Sequence, residues 1–156
     1  MIDEEIPQAA NLAVIRLIHR INTDNAGFGI TQTEPEHFAQ SKFRRGLCGK
    51  SCDAVLKTLN KQGVTDYQKV NFAHKGETHF FLQTSDGEHI IEPTWKQIAV
   101  FHAEEQRQPV QFANALSHYP DVFVGTREAF EEHITSACRA IGAPARKEAL
   151  KGYWGL

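Results

Sequence analysis

Two apolar runs, 78–84 and 88–92, meet across Asp86-Gly87. Asp-Gly supplies a tight reversal, because glycine takes positive φ freely and aspartate bonds its own turn backbone. The middle of the chain is therefore committed to an antiparallel hairpin, preceded by a further strand over 68–73. Upstream, Cys52, Val55, Leu56 and Leu59 fall on one face of a helix over 48–62, while Lys50, Asp53, Lys57, Asn60 and Lys61 fall mostly on the other. Gly63 follows where a helix needs a left-handed residue to stop. A helix followed by antiparallel strands is the frame on which everything else must be hung.

The flanks add helices. Ala10, Val14, Leu17, Ile18 and Ile21 recur at helical spacing over 7–21, with Pro7 suited to a first turn. Asn25 to Gly29 breaks that pattern, and Thr33-Glu34-Pro35-Glu36 starts a short helix over 34–43. Short strands are expected at 97–101 and 122–124, and a helix at 109–117. Thr126 reads as the N-cap of a helix to about 140, with Phe130, Ile134, Ala137 and Ile141 apolar. Tyr153 and Trp154 lie in a charged tail beyond Gly142 and Pro144. The resulting class is α+β, in one domain over 1–156: a helical N-terminal region over 1–63, a sheet-rich region over 64–125, and a C-terminal helix and tail over 126–156. A chain of 156 residues is long enough to bury a single core.

A net charge of −2 gives no electrostatic case for nucleic acid or an anionic membrane. No apolar run reaches the ~18 residues of a membrane span. Acidic and basic residues punctuate the first twenty, so no signal peptide is evident and a cytoplasmic setting is expected, in the host or in a target cell. Three cysteines, an odd number, do not suggest a disulfide framework.

The chemistry-bearing residues come in a telling order. Gly46-Leu47-Cys48 places a thiol at a helix start, His79 opens the strand Thr78-His79-Phe80-Phe81-Leu82, and Glu92 ends the next strand before Pro93-Thr94-Trp95. A helix N-terminus and a neighbouring histidine both lower a thiol's pKa, and an acid on the other ring nitrogen fixes the tautomer and stabilises the imidazolium. His74 is the reserve base. His89 reads as a cross-strand neighbour, Cys52 and Cys138 as packing, and Asp86 as a turn residue. The Cys48 backbone N–H can donate to an oxyanion.

These segments resemble the transglutaminase-like branch of the papain-like cysteine hydrolases. Members of that group carry a Gly-x-Cys opening a helix, with a leucine and a closing glycine at offsets close to those of Leu59 and Gly63. A histidine then begins a strand, and a hairpin leads to a strand ending in Asp-Pro-Thr, here Glu92-Pro93-Thr94. Trp95-Lys96-Gln97 and Pro120-Asp121-Val122-Phe123-Val124-Gly125-Thr126 are similar to papain-like domains of bacterial toxins and effectors, some of which deamidate glutamine. The resemblance covers roughly residues 40–130. It implies a papain-like fold with the nucleophile helix packed on a mostly antiparallel sheet, and a Cys48-His79-Glu92 triad acting on amides of a protein substrate without cofactor or metal. An upstream glutamine, Gln40, is the implied second oxyanion donor. The departure is Glu92, where the family usually has Asp.

Deamidation of glutamine side chains is the expected reaction, peptide hydrolysis by the same triad is the alternative, and two non-enzymatic readings use the same residues. Cys48, Cys52, His74 and His79 could ligate a structural zinc, although 21 residues separate Cys52 from His74, longer than a compact finger. An inactive papain-like domain would serve as an interaction module.

Overall fold

The structure is a computed structural model that describes residues 4–24, 47–74, 77–106, 116 and 119–144. In chain order its elements are α1 (Glu5–Asp24), α2 (Leu47–Lys61), β1 (Tyr67–His74), β2 (Glu77–Thr84), β3 (His89–Glu92), α3 (Lys96–Glu105), β4 (Phe123–Thr126) and α4 (Arg127–Ala140). The four strands form one antiparallel sheet in the order β1-β2-β3-β4. This is the expected α+β class. Gln40 and the predicted helix 34–43 lie outside the described residues, as do the tail aromatics and nearly all of 109–117.

Strand alternation divides the core in two. Phe81, Ile90 and Phe123 pack with Trp95 and Ile98 near α3 and with Phe130 and Ile134 of α4. Leu82 and Ile91 turn the other way and pack with Leu17 of α1 and with Cys52, Val55 and Leu59 of α2. Successive side chains in a strand point to opposite faces, so a buried strand needs an apolar residue at every position. Ile90 and Ile91 answer that need and are 1% and 0% exposed. Helix α2 and the C-terminal helices therefore cover opposite faces of the sheet.

The turns follow from their residues. Gly87 has φ +74°. Asp86 accepts from Thr84 Oγ1 at 2.6 Å and from the Glu88 N–H at 3.0 Å, which holds its carboxyl below the usual carboxylate range. Gly63 closes α2 at φ +84°, with the Gly63 and Val64 N–H groups donating to the Asn60 and Leu59 carbonyls. Thr126 caps α4, its hydroxyl accepting from the Ala129 N–H at 3.1 Å.

One expected element is corrected. Residues 97–101 are not a strand; they belong to helix α3. The β-branched and aromatic residues suggested a strand, but Ile98, Ala99, His102 and Ala103 are buried at helical spacing. The reversal after β3 also opens with helical turns: Gln97 N–H donates to the Thr94 carbonyl and Ile98 N–H to the Trp95 carbonyl. The second short strand is present, displaced by about one residue into β4. No helix among the described residues is long and apolar enough to cross a membrane.

Candidate active site

Cys48 is the second residue of α2 and is 5% exposed. Its N–H lies among the first four of the helix, which have no intrahelical acceptor. The sulfur does not face the core that Cys52 enters one turn later. It lies 3.9 Å from the carbonyl of Thr78 in β2, and its side chain is hydrogen-bonded to His79.

His79 is the third residue of β2, paired across the ladder with Phe72. Its Nε2 is 2.9 Å from both Oε1 and Oε2 of Glu92. With Nε2 occupied by the carboxylate, Nδ1 is the ring nitrogen left for the thiol. The His79 side chain keeps 15% of its surface exposed and Glu92 keeps none. The imidazole therefore reaches the surface, while the carboxylate is sealed behind it.

The register explains how Glu92 reaches. The β2–β3 ladder pairs Leu82 with Ile91 and Gln83 with Ile90, so Glu92 continues opposite Phe81, on the same face. His79 lies two residues further along β2 on that face. The pair is thus a diagonal neighbour rather than a direct one, and diagonal Cβ atoms are separated by up to about 7–8 Å. A longer acid arm suits that separation. This gives a physical reason for glutamate where the resembling family has aspartate.

The electrostatics are those of a linked set. For Cys48, burial pushes the thiol up, but the His79 hydrogen bond and charge, with the backbone N–H groups of Phe80 and Gly49, outweigh it and leave the thiol below its ordinary 9.0. For His79, burial acts downward; Glu92's charge, then the bond to Cys48, override it and raise the imidazole from 6.5 to about 10. Burial pushes the Glu92 carboxyl up and His79 pulls it back only in part. The set thus favours the ionised thiol and the protonated imidazole relative to the same groups in isolation, with Glu92 the acid that holds the proton on His79.

The other candidates separate clearly from this set. Cys52 is fully buried among Val55, Leu59 and Leu82, and burial pushes its thiol far up. Cys138 is fully buried on the inner face of α4, its thiol pushed up to about 12 by burial. His89 faces Thr126 of β4 across the ladder. The backbone of His74 ends β1 opposite Glu77, and its side chain lies outside the described residues. Of the four side chains considered for zinc, Cys52 is enclosed in the apolar core and His79 Nε2 is engaged by Glu92. Trp95 is fully buried on the α3/α4 side, its Nε1–H donating to the Pro120 carbonyl at 2.8 Å.

Two features of the site escaped the sequence reading. One is the backbone of β2 itself, whose Thr78 carbonyl and Phe80 N–H attend the sulfur. The available signal was Pro93, which cannot donate to a ladder and so ends β3. The other is Lys69 of β1, paired with Asp53 of α2 at 2.9 Å and set 4.6 Å over the Phe80 ring, which ties α2 to the sheet. No family model, curated protein or solved structure matches this chain.

Proposed function

We propose that this chain is a cysteine-dependent hydrolase that acts on amides by acyl transfer, with glutamine side chains of a target protein as its substrate. The observation that carries the reading is His79 bonded at once to a thiol of lowered pKa and to a fully buried carboxylate. A structural histidine does not need an activated thiol on one nitrogen and a sealed acid on the other. The choice of glutamine comes from the resemblance to deamidating effector domains.

In this reading the Cys48 thiolate attacks the carboxamide carbon, and the carbonyl π electrons move to oxygen. The Cys48 backbone N–H is placed to donate to that oxyanion. Collapse breaks the C–N bond as His79 gives its proton to the departing ammonia, leaving a thioester. His79, now neutral, takes a proton from water as the water attacks. The C–S bond then breaks, releasing the carboxylic acid and restoring the thiolate and imidazolium. Amide and water become acid and ammonia, with no cofactor in the balance. Glu92 holds the ring and offsets its charge in the steps where it is protonated.

Intact mass is the test. Unfolded casein and a panel of glutamine-containing proteins are incubated with the wild type and with Cys48→Ala. A gain of about one dalton per site with the wild type alone is the expected result. Fragments would assign peptide hydrolysis to the same three residues. Unchanged masses, together with a Cys48 no more reactive toward iodoacetamide than an ordinary thiol, would overturn the reading.

A further inference from the structure

We propose that the backbone N–H of Phe80, on the open edge of β2, is a donor to the Cys48 thiolate beside His79, which makes this strand edge a catalytic element of the site. The role rests on the acyl-transfer reading, but its test does not depend on turnover.

β2 is paired with β1 along its whole length, from Glu77 to Thr84. On its other side it is paired with β3 only at Leu82 and Gln83. Among the described residues, the first half of β2 therefore has no ladder partner on that side. In an antiparallel strand both backbone groups of a residue point to one side, and alternate residues share that side. Thr78, Phe80 and Leu82 are such a set. The Thr78 carbonyl lies 3.9 Å from the Cys48 sulfur, so the sulfur stands on the edge that β3 would have covered had it continued. The start of α2 sits directly against the strand there: a Cβ placed on Gly49 would come within 3.4 Å of the Phe80 ring.

The edge offers the sulfur a partner in each protonation state. As a thiol it donates weakly to the Thr78 carbonyl. As a thiolate it accepts from the Phe80 N–H, the next group on the same edge, whose nearness favours the ionised form. A charged acceptor makes the stronger bond, so the N–H favours ionisation.

Replacing Phe80 by phenyllactic acid turns its N–H into an ester oxygen and keeps the ring. The readout is the pH midpoint of Cys48 alkylation by iodoacetamide. The expected result is an upward move of about one pH unit, the size of a charge-assisted hydrogen bond expressed as a pKa. The same ester at position 81, whose N–H faces β1, leaves the midpoint near the wild-type value. An unmoved midpoint in the position-80 ester, or an equal move in the position-81 ester, overturns the proposal. A second measurement needs no altered backbone: in the wild type, the Phe80 amide proton shifts downfield with the Cys48 midpoint, and in Cys48→Ser it does not. A Phe80 amide that ignores the titration also overturns the proposal. A moved midpoint with no mass change in any tested substrate would keep the thiolate donor and remove the amidase reading.

Discussion

Glu92→Gln is the most searching single change, because it keeps the length of the side chain while removing its charge. In the wild type both carboxylate oxygens lie 2.9 Å from His79 Nε2, with the acid fully buried. Where His79 stays protonated, the variant leaves an imidazolium in a poorly solvated place without its acid, and breaking a buried pair costs about 3–5 kcal/mol. Once His79 sheds its proton, the remaining loss is roughly that of one hydrogen bond, about 1 kcal/mol. The sign follows from linkage. His79 is raised from 6.5 to about 10, so its stabilisation is complete below 6.5 and is lost as pH rises through about 10. Glu92 is also raised, so ionising it already costs the wild type some stability as pH rises above its ordinary 4.5, a penalty the variant escapes. The deficit of Glu92→Gln should therefore be largest near pH 6 and shrink toward pH 9.5, measured by urea unfolding at both. The Cys48 alkylation midpoint should rise toward 9.0, because the imidazolium that lowers it is gone. Turnover should fall by up to about 10⁴-fold, the loss for the equivalent change in a serine triad. Glu92→Asp keeps the charge but shortens the arm by ~1.5 Å, one carbon–carbon bond, so its loss should fall between wild type and Glu92→Gln. Equal unfolding curves at both pH values, with unchanged turnover, would refute the assignment and leave a Cys48–His79 dyad.

Three further outcomes are expected. A short iodoacetamide pulse on the native protein at pH 7, read by peptide mapping, should label Cys48 and spare Cys52 and Cys138, since burial raises both of the latter thiols; equal labelling would contradict an activated nucleophile. Lys96 is 5% exposed at its side chain and bonds Asp121 at 2.6 Å, so Asp121→Asn should cost more in thermal unfolding, about 1–3 kcal/mol, than Lys96→Met, which removes the buried charge itself. Gly63→Ala should lower stability by about 1 kcal/mol because φ is +84° there, although nothing lies close enough to clash; an unchanged midpoint would show that the α2 terminus relaxes freely.

Much of this arrangement was legible from residue order. Cys48 at a helix start, His79 in a strand and Glu92 at the end of the next required only the Asp86-Gly87 turn to bring the last two together, and that turn is among the strongest local signals a chain carries. The helix over 96–105 was missed because Ile98, Val100 and Phe101 suit a strand while the Lys, Gln, Ala and Glu residues around them suit a helix, and the burial at helical spacing that decides between them emerges only once both sheet faces are in place. The division of the core was similarly hidden. Ile90 and Ile91 are adjacent apolar residues, and nothing in their identity says that one meets α4 while the other meets α2.

The open edge of β2 shows how a local signal can be visible while its consequence is not. Pro93 marks the end of a strand in any reading. What it leaves behind depends on register: because Ile91 pairs with Leu82, the ladder stops three residues short of His79 along β2. Two things then follow from the same stop. The backbone groups of Thr78 and Phe80 are left facing sideways, where a thiol from α2 can use them. The acid, held at the last position of β3, must reach His79 on the diagonal, which favours glutamate over aspartate. A ladder continued to the level of His79 would cover the edge, and an acid at its end would face the histidine directly. The identity of residue 92 and the exposure of the β2 edge are thus two results of one register, so a change that shifts the β2–β3 pairing should disturb the thiol and the acid together.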